Sequence, residues 1–290
     1  MLENLFRKAV ELGVRHREEL VGSEAEKFFH KAAMSWISYS PHEGMGSTAA
    51  VDSGWNYILY HGFFLYGVKA VAVDAGGGDV VTPVDELEIV SRTEGVLPQL
   101  YVESVAESSE HRLAATAAEE VDILLVDGSL LARSAKALRL KGLRTYDDYL
   151  AELRPVLNRK VFFVSKYSQD NSLFDGVLGD IYYVNRATMD IGYAGPFSRQ
   201  LQAGGGSVWV FYARLSNNAP ALHVECTQQI STREIESFID VLHQKAVRGY
   251  PVELIAAHNN AVFSDQLITL LAETAGLGTF EESREVLSVG

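Results

Sequence analysis

Residues 121–131 read VDILLVDGSLL, and their pattern limits the architecture of this chain more than any other segment. The unbroken run Ile123, Leu124, Leu125, Val126 has the length and β-branched content of a strand covered on both faces, and Asp127-Gly128-Ser129 ends it abruptly. Such a strand belongs in the middle of a parallel or mixed sheet flanked by helices, which makes the chain an α/β protein. Open sheets of this class gather ligands at the carboxyl ends of their strands, so Asp127 stands where chemistry is usually done. The same residues also suit a plain turn, with Asp127 or Ser129 capping the helix beyond it. A second strand of similar design, AAVDSG at residues 49–54, carries its own acid, Asp52, and tips the balance toward chemistry.

The 290 residues, 47% of them hydrophobic, can bury one large core. The organisation expected is an N-terminal helical arm over residues 1–45, a main α/β domain over 46–280 and a mobile acidic tail over 281–290. A net charge of −13 argues against a protein that captures nucleic acid by electrostatics alone, since neutralising phosphates takes clustered Lys and Arg. The single cysteine, Cys226, excludes an internal disulfide and a multi-cysteine zinc site and suits a reducing compartment. No leader and no apolar run long enough to span a bilayer stands out, so the expectation is a soluble, cytoplasmic chain without a membrane partner.

Residues 2–21 place Leu5, Phe6, Ala9, Val10, Gly13 and Val14 on one helical face. A second helix, with a capping box of Ser23 and Glu26, is expected to run to about Trp36. The two either cover one face of the sheet or form an arm for a partner. Residues 51–59, 63–68 and 70–74 read as strands of a meander, and 80–90 as a further strand. A helix over 102–120 precedes the central strand, and another is expected over 138–157. Residues 161–166 form a second buried strand ending at Lys166. Residues 169–200 read as a loop-rich lid or rim, and 208–215 with 221–227 as a hairpin. Ser231 and Glu234 make a capping box for a helix that Gly249 closes. Pro251 opens the next helix, and Tyr250 and His258 are expected on one face of it. Ser264 and Asp265 cap the last helix, which Gly276 ends.

On the helix before the central strand, Val102, Ala106, Leu113 and Ala117 form the apolar stripe, and Glu110 lies on its core side. Glu107, one turn earlier, is the alternative; solvated helix-edge acids are the plain reading of both. A strand bearing an acid, a three-stranded meander, a helix bearing an acid and a central strand ending in an acid is the ribonuclease H-like order of elements. Carboxylates converging at one sheet edge repel one another unless divalent cations bind between them. Two-metal hydrolysis of a phosphodiester follows from such a site.

The residues resemble the NurA nuclease family. The resemblance is carried by Val51-Asp52-Ser53-Gly54, by Glu110, by Val126-Asp127-Gly128-Ser129-Leu130, by Val164-Ser165-Lys166, and by Gly249-Tyr250-Pro251 followed by Ala257-His258. It runs over most of residues 49–271 and covers the N-terminal arm least well. It implies a ribonuclease H-like fold in which Asp52, Glu110 and Asp127 hold manganese, or magnesium in its place. Tyr250 and His258 would complete the site, and Lys166 is a candidate to face a phosphate. It further implies a homodimer docked on a hexameric ring ATPase, HerA, that degrades single- or double-stranded DNA. The setting implied is archaeal DNA end resection in double-strand break repair and homologous recombination. Asn259-Asn260 depart from the basic residue expected after the histidine. Leu5, Phe6, Phe28 and Trp36 are the candidates for the docking surface.

Two other readings compete. An actin-like or sugar-kinase ATPase would use Asp52 and the loop Asp74-Ala75-Gly76-Gly77-Gly78-Asp79 as its phosphate loops, but only 22 residues separate the two aspartates, which places both in one meander. A catalytically silent scaffold of the ring partner would keep the fold without using the acids.

Overall fold

The computed structural model describes residues 2–277 apart from Arg92 and Glu94, with Glu18, Glu19 and Glu24 described by their backbone alone. The acidic tail expected over 281–290 lies outside the described residues. Three helices lead: α1 (Leu2–Arg15), α2 (Arg17–Val21) and α3 (Ser23–Ser35). No residue of α1 is buried, and its apolar stripe of Leu5, Phe6, Val10 and Val14 faces solvent. Gly22, not Ser23, is the N-cap of α3, and no side chain caps it, so the capping box expected at Ser23 and Glu26 does not form.

After β1 (Ile37–Ser38) come the long strands β2 (Thr48–Tyr60) and β3 (Phe63–Asp74), then β4 (Val84–Val90). The strands expected at 63–68 and 70–74 are one: Lys69 sits in register opposite Gly54, and β2 pairs with β3 from Ala49↔Asp74 to Tyr60↔Phe63. A lysine between two apolar runs mimics a break, yet its long aliphatic stem is tolerated within a strand. Helix α4 (Pro98–Ala117) leads to β5 (Ile123–Asp127), the strand read from the central motif. A helix does follow Ser129, α5 (Leu130–Ala137), but the one expected over 138–157 is a short 3-10 turn at Leu138–Leu140 and then α6 (Arg144–Leu157). Gly142 breaks it with a φ of 91°, a conformation that a helix interior excludes.

The strand β6 (Phe162–Ser165) is followed by α7 (Asp180–Ala187) and β7 (Gly192–Gln200), so residues 169–200 supply a packed helix and a sheet strand, not a lid. Helix α7 meets α3: Phe28, Ala32 and Trp36 are buried in one cluster with Phe174, Tyr183 and Val184. Phe28 and Trp36 therefore belong to the core and are not an exposed docking surface. The hairpin β8 (Ser207–Arg214) and β9 (Leu222–Cys226) forms as expected.

Helix α8 (Thr232–His243) starts at the expected capping box, with both Ser231–Glu234 hydrogen bonds present. It ends well before Gly249, which turns a small ladder of β10 (Ala246–Val247) and β11 (Tyr250–Pro251). Tyr250 is thus an extended residue preceding α9 (Val252–Ala261), and it does not share a helix face with His258. Pro251 is the N-cap of α9, and α10 (Asp265–Thr274) is capped by Ser264.

Among the described residues, nine strands form one mixed sheet in the order β1-β7-β8-β9-β6-β5-β2-β3-β4. Strand β5 runs parallel to both neighbours, β2 and β6, while every other pairing is antiparallel. On one face Leu113 and Ala117 of α4, Leu130 of α5 and Leu153 of α6 pack on Val51, Val126 and Phe163. On the other, Phe238 of α8 and Leu254 and Ala257 of α9 pack on Ala50, Leu125 and Phe162. The fold is ribonuclease H-like: a mixed central sheet flanked by helices, with α1 and α2 outside it.

Candidate metal centre

The parallel register Val51↔Val126 sets the next residues of the two strands, Asp52 and Asp127, beside each other. Strand β5 stops at Asp127 while β2 runs on to Tyr60, so both carboxylates stand where the sheet loses a neighbour. Two acids at such a notch need a partner, and α9 brings one. The helix crosses β2 at Gly54, where a methyl group would stand 1.9 Å from the carbonyl oxygen of Ala261. Only a glycine admits that approach, and it places His258 Nδ1 3.1 Å from Asp52 Oδ2. The ring of His258 is otherwise open to solvent.

One donor atom each from Asp52, Asp127 and His258 lies within 4.8 Å of the others. Asp52 is nearly buried, and its carboxyl is pushed upward first by burial and then by the charge of Asp127; the amide of Ser53 and His258 pull it down. Two carboxylate oxygens and an imidazole nitrogen are the donor set that suits Mn2+, and their mutual repulsion is what a divalent cation relieves. These three residues fit such an ion.

Glu110 is placed differently. It is buried on the α4 side of β2, where the hydroxyl of Ser53 donates to Oε1 and Arg133 donates to Oε2 at 2.5 Å. Burial pushes the Glu110 carboxyl upward, against the pull of the Arg133 guanidinium. Arg133 is itself enclosed, and the charge of Glu110 keeps it protonated. Its other nitrogen donates to the main-chain carbonyl of Asp127 at 2.6 Å, so one guanidinium ties the helix acid to the strand acid. Glu110 lines the same open cavity as Asp52 and Asp127 but is not among the three grouped donors. Glu107 is held by Lys136 at 2.5 Å, which also takes Glu103 at 3.0 Å.

Tyr250 reaches the site from β11, its hydroxyl donating to Asp127 Oδ1 at 3.0 Å. Burial and the neighbouring Asp127 push that phenol well above its usual range, so it stays protonated and remains a donor. Lys166 leaves the end of β6 and lays its ammonium 3.7 Å from the centre of the Tyr250 ring, a cation–π contact. All six residues singled out from the sequence therefore lie around one strand edge. Arg133 was not singled out; nothing in its local sequence distinguishes it from a solvated helix arginine. The Asp74 loop is structural, since Asp74 Oδ1 accepts from the amides of Gly76 and Gly78 and closes its own turn.

A model of the NurA domain matches residues 46–263. A curated relative, the DNA double-strand break repair nuclease NurA of Sulfurisphaera tokodaii, is 25% identical, with 81% of this chain and 83% of the relative covered. Among solved structures, the NurA nuclease from Sulfolobus solfataricus superposes with a TM-score of 0.74 at 20% identity, covering 95% of this chain and 97% of that one. A NurA bound to dAMP and manganese gives a TM-score of 0.65 at 13% identity, covering 97% and 99%. The two structures share this chain's fold.

Proposed function

The chain belongs to the NurA family, and from that premise we propose how it acts as a manganese-dependent deoxyribonuclease in double-strand break repair. The observation that carries the reading is the convergence of Asp52, Asp127 and His258 at the end of the central strand. These three would hold the ion. When bound, it lowers the pKa of a coordinated water and withdraws charge from the scissile phosphate.

The surrounding residues orient that chemistry. The Tyr250 hydroxyl fixes one oxygen of Asp127 and so orients the carboxylate that would hold the ion. Arg133 fixes the Asp127 main chain and Glu110 together, so the carboxylates cannot separate when substrate enters. Lys166, stacked on Tyr250, offers a positive charge at the rim for a phosphate oxygen. His258, mostly exposed, is reachable by substrate as well as by Asp52.

DNA is the substrate, and delivery is the further part of the reading. A chain of net charge −13 repels a polyanion, and screening at physiological salt extends about 8 Å. A homodimer fed by a HerA-type ring ATPase would replace electrostatic capture with translocation. The exposed stripe of α1, with Leu5 and Phe6, is the surface proposed to dock on that ring. Within the described residues no helix is long and apolar enough to cross a membrane, and Cys226 is buried as a free thiol, which is compatible with a cytoplasmic site of action.

The test is cleavage of an end-labelled duplex with and without Mn2+. The wild type cuts only with the ion, and Asp52→Ala and Asp127→Ala each lose several orders of magnitude in rate while keeping the fold. Metal-independent cleavage, or folded variants of undiminished activity, would refute the reading.

A further inference from the structure

Glu225 lies in β9 with no exposed surface, and the sheet register sets it in a cross-strand row with Val126, Phe163 and Val210. The other members of that row are hydrocarbon and fully buried. A valine or leucine would pack there without desolvating a carboxylate, so the acid needs a reason. Its oxygens supply one. Oε1 accepts from Ser129 Oγ at 2.5 Å, and Oε2 accepts from the amide of Leu131 at 2.9 Å. The carboxylate thus seats the first turn of α5 against the sheet, and that turn follows Asp127 directly in the chain.

Helix α5 also carries Arg133, whose guanidinium holds the Asp127 carbonyl and Glu110. Seating α5 therefore fixes Asp127 twice, through the Gly128-Ser129 link and through Arg133. The same Oε1 stands 3.5 Å from Nδ1 of the buried His223 ring, and Asp170 lies 3.8 Å from its Nε2. Those separations are too long for hydrogen bonds, and neither ring nitrogen has a hydrogen-bond partner among the described residues. The hydrogen bonds that Glu225 makes to side chains and to amides thus all lead to the α5 turn.

We infer that Glu225 is a positioning residue for the metal centre, holding Asp127 in ligating geometry through the hydrogen bonds it accepts from the first turn of α5. The inference rests on the reading of Asp127 as a metal ligand. Outer partners that orient a ligand set metal affinity as well as rate, and their loss typically lowers either about 10–100-fold. Reach, not charge, is what the geometry uses. Glu225→Asp keeps the charge but draws the carboxylate back by one methylene, away from Ser129 and Leu131. Glu225→Gln keeps the reach: its carbonyl oxygen still accepts from one donor, and its amide nitrogen can donate to the Ser129 hydroxyl.

Full-length protein is titrated with Mn2+ by calorimetry, and kcat and KM are measured on a labelled duplex. The expected result is a Glu225→Asp variant with Mn2+ affinity and kcat about 10–100-fold lower and KM for DNA unchanged, and a Glu225→Gln variant that recovers most of both. Should Glu225→Asp not fold by circular dichroism, Ser129→Ala removes the 2.5 Å hydrogen bond, together with the N-cap bond that Ser129 Oγ accepts from the Ala132 amide, and must lower Mn2+ affinity in the same direction. Asp127→Asn separates the two readings. If it loses Mn2+ while the folded Glu225 and Ser129 variants bind like wild type, the positioning role is overturned and the metal site stands. If Asp127→Asn itself binds Mn2+ like wild type, the metal reading falls and takes the inference with it. Impaired Glu225→Gln beside intact Glu225→Asp would show charge acting at the site and would also overturn the inference.

Discussion

Gly54→Ala tests whether the close crossing of α9 over β2 builds the metal centre. The new methyl would stand 1.9 Å from the Ala261 carbonyl oxygen and 2.9 Å from both the Ala261 carbonyl carbon and the Phe263 amide nitrogen. All three are backbone atoms, so no side chain can swing aside. Carbon atoms in that position essentially never approach closer than 3.0 Å, and the end of α9 must therefore retreat by about 1 Å or β2 must bend. Overpacking of this kind costs about 1–3 kcal/mol. At roughly 2–4 °C per kcal/mol for a chain of this size, Tm should fall by about 2–12 °C. The functional loss should be larger than the stability loss suggests. His258 is one helical turn before Ala261, and a displacement of about 1 Å in a catalytic group costs on the order of 100-fold in rate. Thermal melts, Mn2+ calorimetry and turnover on a labelled duplex measure the three effects together. Gly13→Ala is the control, since Gly13 lies on α1 with nothing within 4 Å of the added methyl. A Gly54→Ala protein with wild-type Tm and wild-type Mn2+ affinity would refute the argument that this contact places His258.

Glu110→Gln should abolish cleavage and, by leaving the enclosed Arg133 without its counter-charge, destabilise the fold by about 3–5 kcal/mol, as read by denaturant titration. Glu107→Gln breaks a more solvated pair with Lys136 and should cost about 1 kcal/mol or less and retain activity; the opposite ranking would reverse the roles of the two acids. Acidification should weaken Mn2+ binding, because the Asp52 carboxyl is raised above its ordinary value of 3.8 and a proton there competes with the cation. In the metal-free protein the sign is opposite. A carboxyl raised in the folded state adds stability that is complete below its unfolded value and is lost as pH rises through the folded one, so Asp52→Asn should flatten the Tm profile above pH 3.8 in metal-free melts. His258→Ala should lower Mn2+ affinity and turnover together; a fall in turnover with affinity intact would assign the ring to proton transfer instead.

The amino-acid sequence by itself determined the features that depend on local pattern. The buried run before Asp127 announced a central strand, because four consecutive apolar residues bounded by Asp-Gly suit a strand covered on both sides. The order of acids along the chain marked the same sheet edge that Asp52, Glu110 and Asp127 line, and Ser231 with Glu234 declared a helix start that formed as read. Local pattern also misled where one residue stood for a boundary. Lys69 suggested two strands where β3 is continuous, and the helical spacing of Tyr250 and His258 suggested one face where the chain turns through β11 first.

What only the tertiary structure decided is which charges meet. Glu110 is claimed by Arg133, 23 residues on, and Asp52 by His258, 206 residues on, and neither pairing leaves a trace in either residue's neighbourhood. Glu225 stands in β9 between Val224 and Cys226, and nothing in the sequence analysis marked it. It is buried because β9 lies between β6 and β8, where both faces of the sheet are covered. The cause is general: backbone geometry is set by neighbours in the chain, whereas the energy of a charge is set by whatever surrounds it in space, and packing brings that environment from distant segments.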